Sequence, residues 1–239
     1  MKEVSMDENK GLEEGISLYN EKNYTDALSF FLSLPSDSYV DSIEVAYYAG
    51  LCYANLNRYD DALLYLEQVV TTEGADTDEK GARRVLQCRY LLAVIYCKTG
   101  RHKLADFELN KLIELGYKKA SAYASLAYIA WQEDDVDKCI EYYQKALAED
   151  EENPTALNGL GYVLANEEKD LVKALNYCKR ALALAPSSAA CMDSVGWVYY
   201  KMGLYTEAKR YLTQAAQLDK DNDLIAEHLQ ETLEMEGEK

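Results

Sequence analysis

The chain is 239 residues long and 49% hydrophobic, enough to bury a core across one or two domains, so disorder is excluded for most of its length. Its 25 Lys and Arg stand against 42 Asp and Glu, a formal charge of -17, which repels a phosphate backbone or an anionic membrane surface and excludes nucleic acid as a partner. The 3 Pro and 12 Gly argue against a loop-rich or all-β chain, and the 21 Tyr exceed ordinary usage.

The opening stretch MKEVSMDENKGLEEG carries acidic residues where a secretory signal has its apolar run, so no export signal is expected. The longest unbroken apolar run, Tyr90 to Cys97, falls far short of the ~18 residues that span a bilayer, which predicts no membrane insertion. Six cysteines (Cys52, Cys88, Cys97, Cys139, Cys178 and Cys191) include no C-x-x-C pair and sit among helical apolar residues, as small hydrophobes do. Reduced thiols in the cytoplasm, with no metal and no cofactor, are the expectation.

Small residues recur along the chain in two series. Gly15, Gly50, Ala93, Ala127, Gly161 and Gly196 are separated by 35, 43, 34, 34 and 35 positions. Ala27, Ala62, Ala105, Cys139, Ala174 and Ala208 follow them by 12 residues, or once by 13. Such a pattern predicts two antiparallel helices per repeat that cross closely, because a large side chain at either crossing point would hold the axes apart.

In chain order, the first unit contributes Gly15, Tyr24, Ala27 and Phe31. In the second, Ala46, Ala49, Gly50 and Tyr53 keep helical spacing up to a break at Asn55-Leu56-Asn57, and Ala62, Leu66 and Val69 resume it. About nine additional residues around TTEGADTDEKGARR precede the third unit; polar and Gly-containing, they read as a lengthened loop or extended helix ends and as the expected hinge. Further breaks fall at Lys98-Thr99-Gly100, Asp134-Asp135, Glu167-Glu168-Lys169 and Lys201-Met202-Gly203, where Gly supplies a left-handed helix end and Asp a cap. One extra residue between Glu167 and Asp170 lengthens the fifth turn. Pro154 and Pro186 mark helix starts or loop positions. After Asn222, DLIAEHLQETLEM places Leu224, Ile225, His228, Leu229 and Leu233 on one face, a helix suited to capping the array.

These units resemble the tetratricopeptide repeat family. The sixth, SVGWVYYKMGLYTEAKRYLTQAAQLDKDN, is similar to the family pattern through Val195-Gly196, Tyr199, Gly203, Tyr205, Ala208, Leu212 and Ala215. The fifth is similar through Leu160-Gly161, Ala174, Ala181 and Pro186, and the second through Gly50, Tyr53, Tyr59, Ala62 and Leu66. The third and fourth units depart with Ala93 and Ala127 in place of Gly and, in the fourth, Cys139 in place of Ala, all still small. The resemblance implies an all-α, right-handed superhelical solenoid of six helix-turn-helix repeats at about 8–41, 43–76, 86–119, 120–153, 154–188 and 189–222. An N-terminal extension (1–7) precedes them, and a capping helix with an acidic tail (223–239) follows.

Catalysis needs converging titratable groups, and here the inventory is thin. His102 stands at the start of a second helix where Tyr24, Tyr59 and Tyr205 stand elsewhere, and His228 lies by the apolar face of the capping helix; both read as structural. No H-E-x-x-H, G-x-S-x-G, Walker or G-x-G-x-x-G pattern occurs, and Gly159-Leu160-Gly161 is explained by helix packing. The pairs Asp60-Asp61 and Asp134-Asp135 sit at helix starts, where their charge suits the macrodipole. The chain is expected not to be an enzyme.

In the family the first helices of successive units line a concave groove. By that resemblance the groove residues are Leu12, Ile16 and Tyr19; Tyr47, Leu51 and Ala54; Tyr90, Val94 and Cys97; Ala124, Tyr128 and Trp131; Asn158, Tyr162 and Ala165; and Asp193, Trp197 and Tyr200. A polar set, Asn20, Asn55, Lys98, Gln132, Asn166 and Lys201, ends the same helices. Aromatic rings give large contact area at low entropic cost, which suits peptide binding, although rings can also fill space between adjacent helices. The Lys, Arg and Asn set with which some members grip chaperone tails is absent from the first two units. The expected function is therefore a protein-interaction scaffold binding an apolar or basic peptide segment. The alternatives are a small-ligand or lipid carrier with an enclosed pocket and a self-associating adaptor, a homo-oligomer.

Overall fold

The computed structural model describes residues 12–35 and 41–237, so the extension at 1–7 lies outside the described residues. Among the described residues there are thirteen α-helices and no strand: α1 Glu13–Asn20, α2 Tyr24–Ser33, α3 Ser42–Asn55, α4 Tyr59–Thr71, α5 Glu79–Lys98, α6 His102–Glu114, α7 Lys119–Gln132, α8 Val136–Glu149, α9 Pro154–Asn166, α10 Leu171–Leu184, α11 Ala189–Lys201, α12 Tyr205–Leu218 and α13 Asp223–Gly237. This is an all-α helical-repeat solenoid fold. The chain divides into two compact units, residues 1–117 and 118–239. Their junction follows Gly116 (φ 70) and includes Lys118 (φ 45); nothing in the hydrophobic pattern singles it out.

Both small-residue series lie at helix crossings. Ala27, Ala62, Ala105, Cys139, Ala174 and Ala208 are all fully buried, as are Ala93 and Ala127. A Cβ on Gly50 would fall 2.8 Å from Leu66 Cδ2, and one on Gly196 would fall 2.6 Å from Leu212 Cγ. At Gly161 it would meet the Cys178 sulfur and lie 2.9 Å from the Ala174 carbonyl. Hydrogen is the side chain these crossings admit.

Every first helix ends the same way. Lys22, Asn57, Gly100, Asp134, Glu168 and Gly203 take positive φ. One residue later the backbone N–H reaches back five residues, as in Asn23 to Leu18, Arg58 to Tyr53, Asp135 to Ala130 and Leu204 to Tyr199, the six-to-one bond of a Schellman end. Four of the six left-handed positions are not Gly, so the turn is dictated by helix packing as much as by local propensity. In the fifth unit the extra residue is absorbed by a second left-handed residue, Asp170 (φ 49), which also caps α10.

Most of the residues between the second and third units are helical: α5 runs 20 residues where other first helices have 8 to 14. Gly81 lets the connection fold back on the first turn of α5, since a Cβ there would collide with the Ala75 carbonyl, and Asp78 caps the helix through Gly81 N–H at 2.6 Å.

Within unit 1, α1 touches α3 and α3 touches α5; within unit 2, α7, α9, α11 and α13 touch in sequence. The last helix buries Ile225, His228 and Thr232 and half-buries Leu229, whereas Leu224 and Leu233 are 47% and 44% exposed. The expected apolar face is corrected accordingly. Residues 225, 228, 229 and 232 form one stripe, and 224 and 233 fall about 80 to 100° to either side of its first residue at 100° per residue.

Candidate functional site

In unit 1 the expected groove residues are largely occupied by the chain itself. Leu51 is buried; Tyr90 and Val94 are half-buried on α5. The Tyr47 hydroxyl donates to Gln87 Oε1 at 2.6 Å, and burial pushes its pKa up. Asn55 Nδ2 donates to the Leu51 carbonyl at 2.8 Å, closing its own helix end. Lys98 lies over the Tyr59 ring, 5.6 Å from its centroid.

Between α3 and the extended start of α5 lies a cleft of about 580 Å³, lined by residues that include Tyr47, Tyr48, Glu44, Lys80, Arg84 and Gln87. Glu44 and Arg84 are buried and form an ion cluster: Lys80 to Glu44 at 2.8 Å, Arg84 to Glu44 at 3.5 Å and Arg84 to Asp41 at 3.4 Å. Such charged walls do not suit an acyl chain, which needs an apolar lining.

In unit 2 the first-helix face is aromatic. Tyr128, on α7, is 47% exposed and Trp131, one turn on, is half-buried, with Gln132 exposed at the helix end. Trp131 meets the edge of Tyr162 on α9 at 6.3 Å. Tyr162 lies 6.1 Å from His228, His228 stacks on Trp197, and Trp197 stacks on Tyr200 at 4.7 Å. The structure thus links Trp131, Tyr162, Trp197 and Tyr200 in one run of ring contacts that passes through a histidine of α13.

Trp197 is 7% exposed. Its Nε1 donates to Asn166 Oδ1 at 2.6 Å, and Lys201 Nζ sits 5.0 Å above its ring while pairing with Glu168 at 3.6 Å. Two members of the polar set, Asn166 and Lys201, are therefore engaged with Trp197. Asn158, also on α9, carries a buried Oδ1 with no hydrogen-bond donor. The Tyr162 hydroxyl is pushed up in pKa by burial first, and further by the carboxylates of Asp193 and Glu227.

Sequence reasoning did not pair His228 with Asp193, whose Oδ1 lies 2.9 Å from His228 Nδ1. The signal was available: the two are 35 residues apart, one repeat period, and α13 packs on α11 as successive first helices pack on one another. Thr232, buried beneath it, donates its hydroxyl to the His228 carbonyl. Elsewhere, among the described residues no group of three His, Cys, Asp or Glu is placed to hold a metal ion. No helix among them is long and apolar enough to cross a membrane.

Comparison with known proteins agrees with this architecture. The family described as "Tetratricopeptide repeat" matches residues 44–72, 120–153 and 152–221, together more than half of the chain. A TPR repeat-containing protein of Pseudomonas aeruginosa is 32% identical over 123 residues, 50% of this chain and 21% of that protein. Among solved structures, the Cut9-Hcn1 hetero-tetramer of APC/C superposes with a TM-score of 0.71 at 16% identity, covering 93% of this chain and 42% of that one. A tetratricopeptide repeat protein from Parabacteroides merdae gives 0.70 at 13% identity, covering 96% and 86%; both likenesses concern the fold. The chain spans 21%, 22% and 64% of the lengths of three curated relatives it matches. From the paired helices, the buried small residues at their crossings and these matches together, the chain belongs to the tetratricopeptide repeat family, whose members generally mediate protein–protein interaction.

Proposed function

We propose that this protein is a non-enzymatic interaction scaffold that binds an extended or helical segment of a protein partner on the first-helix face of unit 2. The observation that carries this reading is the exposure of Tyr128 and partial exposure of Trp131 on one face of α7, with Asn158 and Tyr162 on the adjoining α9. Exposed aromatic groups on a rigid helical frame lose little entropy on binding and give hot-spot contacts. Unit 1 offers less, since Leu51 is buried and Tyr47, Asn55 and Lys98 are engaged internally. Six unpaired cysteines suit a reducing compartment, and we place the protein in the cytoplasm.

The test is capture from the host's soluble extract on the immobilised chain, in parallel with Tyr128→Ala and Trp131→Ala, followed by mass spectrometry. A protein retained by the parent and lost from both variants supports the reading. Retention of the same proteins by all three, at unchanged melting temperature, removes it.

A further inference from the structure

Buried polar groups in proteins are paired in the great majority of cases, so the Oδ1 of Asn158 needs a reason. It lies on α9, between α7 and α11, one helical turn before Tyr162 and three residues before the crossing glycine Gly161. Three residues before the next crossing glycine, Gly196, stands Asp193, which is buried. Both oxygens of Asp193 are engaged by His228 Nδ1, at 2.9 and 3.1 Å. The corresponding residue of α7 is Ala124, which offers no side-chain donor. Glu227 of α13 adds a second carboxylate whose charge is felt at Tyr162. The adjoining helices α7, α9, α11 and α13 thus carry acceptors and ring faces: an amide oxygen without a donor, two carboxylates, and the rings of Tyr162 and Tyr128.

We propose, building on the groove reading above, that this spot receives a basic side chain, Lys or Arg, from the bound partner segment. An N–H of its head group donates to Asn158 Oδ1, its charge faces Asp193 and Glu227, and its stem lies along the tyrosine rings, which favour a cation at their faces. In the free protein an unsatisfied oxygen is a cost; in the complex it becomes a selective acceptor, because an apolar side chain at that place leaves it orphaned.

The probe is a random dodecapeptide library displayed on phage and panned on the intact chain, followed by a synthetic, terminally blocked peptide of the enriched sequence. Enrichment should fix a Lys or Arg beside apolar residues, and replacing it by norleucine should weaken binding to the parent about tenfold or more. Asn158→Leu should bind the basic peptide about tenfold less tightly and lose most of the norleucine penalty, yet melt about 2 to 4 °C higher, as removal of an orphan acceptor predicts for a chain of this size. Should Asn158→Leu fold poorly, Asn158→Asp should instead tighten the basic peptide. Enriched peptides without a fixed basic residue, an unchanged norleucine penalty in the variant, or a lower melting temperature for a folded Asn158→Leu would overturn the inference and leave the groove reading standing. Enrichment that survives Tyr128→Ala and Trp131→Ala together, or no enrichment at all, would overturn both.

Discussion

His228 lies face to face on Trp197, ring centroids 3.9 Å apart and planes 15° from parallel, while its Nδ1 is held by Asp193. An amphipathic helix docks mainly through apolar side chains, yet two of the three residues that α13 buries are His228 and Thr232. The last helix is therefore fixed by a specific stack and hydrogen bonds as well as by Ile225.

That arrangement separates the two tryptophans. Trp197 is 7% exposed and Trp131 half-buried, so acrylamide should quench two populations of unequal accessibility. Trp197→Ala should cost about 3 to 5 kcal/mol of stability, as truncation of a buried aromatic does. Trp131→Ala should cost markedly less and leave only the protected emission. His228→Ala should uncover Trp197, raising its quenching constant toward that of Trp131. Equal quenching of both indoles in the parent would contradict the stack.

How much of this was legible in the sequence depended on whether the signal was periodic. Gly50, Gly161, Gly196 and their partner alanines were readable because a crossing point tolerates few residue types. The breaks at Asn57, Gly100, Asp134 and Gly203 were readable because a helix must end where its partner begins. The occupation of the groove was not readable: Asn166 and Lys201 mark helix ends equally well whether they face a ligand or Trp197, and composition does not distinguish the two. The Arg84–Glu44 cluster was hidden because it belongs to the length of α5, a departure from the period.

The crossing at Gly161 is tighter than that at Gly50. At Gly50 a new Cβ meets the flexible tip of Leu66, whereas at Gly161 it meets the Ala174 carbonyl at 2.9 Å in addition to the Cys178 sulfur. Backbone cannot turn aside as a side chain can, so Gly161→Ala should destabilise by about 1 to 3 kcal/mol and Gly50→Ala by less. Urea denaturation of the two variants, compared at the same m-value, checks the order.

Burial pushes the thiols of Cys52 and Cys97 up to about 11, and those of Cys88, Cys139 and Cys178 up to about 12, from the ordinary 9.0. Below pH 9 the thiols are protonated in both folded and unfolded chains, and their burial leaves stability unaffected by pH. Between pH 9 and 11 to 12 the unfolded chain releases protons that the folded one retains, so stability falls, by up to about 1.4 kcal/mol per pH unit for each such thiol. Melting temperature should be flat from pH 7 to 8.5 and drop steeply above pH 9. Replacing Cys139 and Cys178 by Ala should shallow that drop; an unchanged slope would show that other groups carry it.

The third unit breaks a pattern that the others keep. Three residues after the second crossing residue, the chain has Phe30, Tyr65, Tyr142, Tyr177 and Tyr211, but Glu108 in the third unit. Four residues before the first crossing residue, the fourth unit has Tyr123 and the third has Arg89. In the fourth unit these positions hold a stacked pair, Tyr123 and Tyr142, with centroids 6.3 Å apart; in the third they hold an ion pair, Arg89 to Glu108 at 2.8 Å, with side chains 18% and 11% exposed. Bringing two charges out of water costs about as much as their attraction returns, while removing one partner strands the other. Glu108→Ala should therefore destabilise by about 3 to 5 kcal/mol. Arg89→Tyr combined with Glu108→Tyr should restore stability to the parent value or exceed it by about 1 to 4 kcal/mol, because rings already fill the equivalent places one unit on. Urea melts of the parent, Arg89→Tyr, Glu108→Tyr and the double variant form a complete cycle. A double variant no more stable than Glu108→Ala would show that the ion pair positions α5 against α6 in a way that ring packing cannot replace.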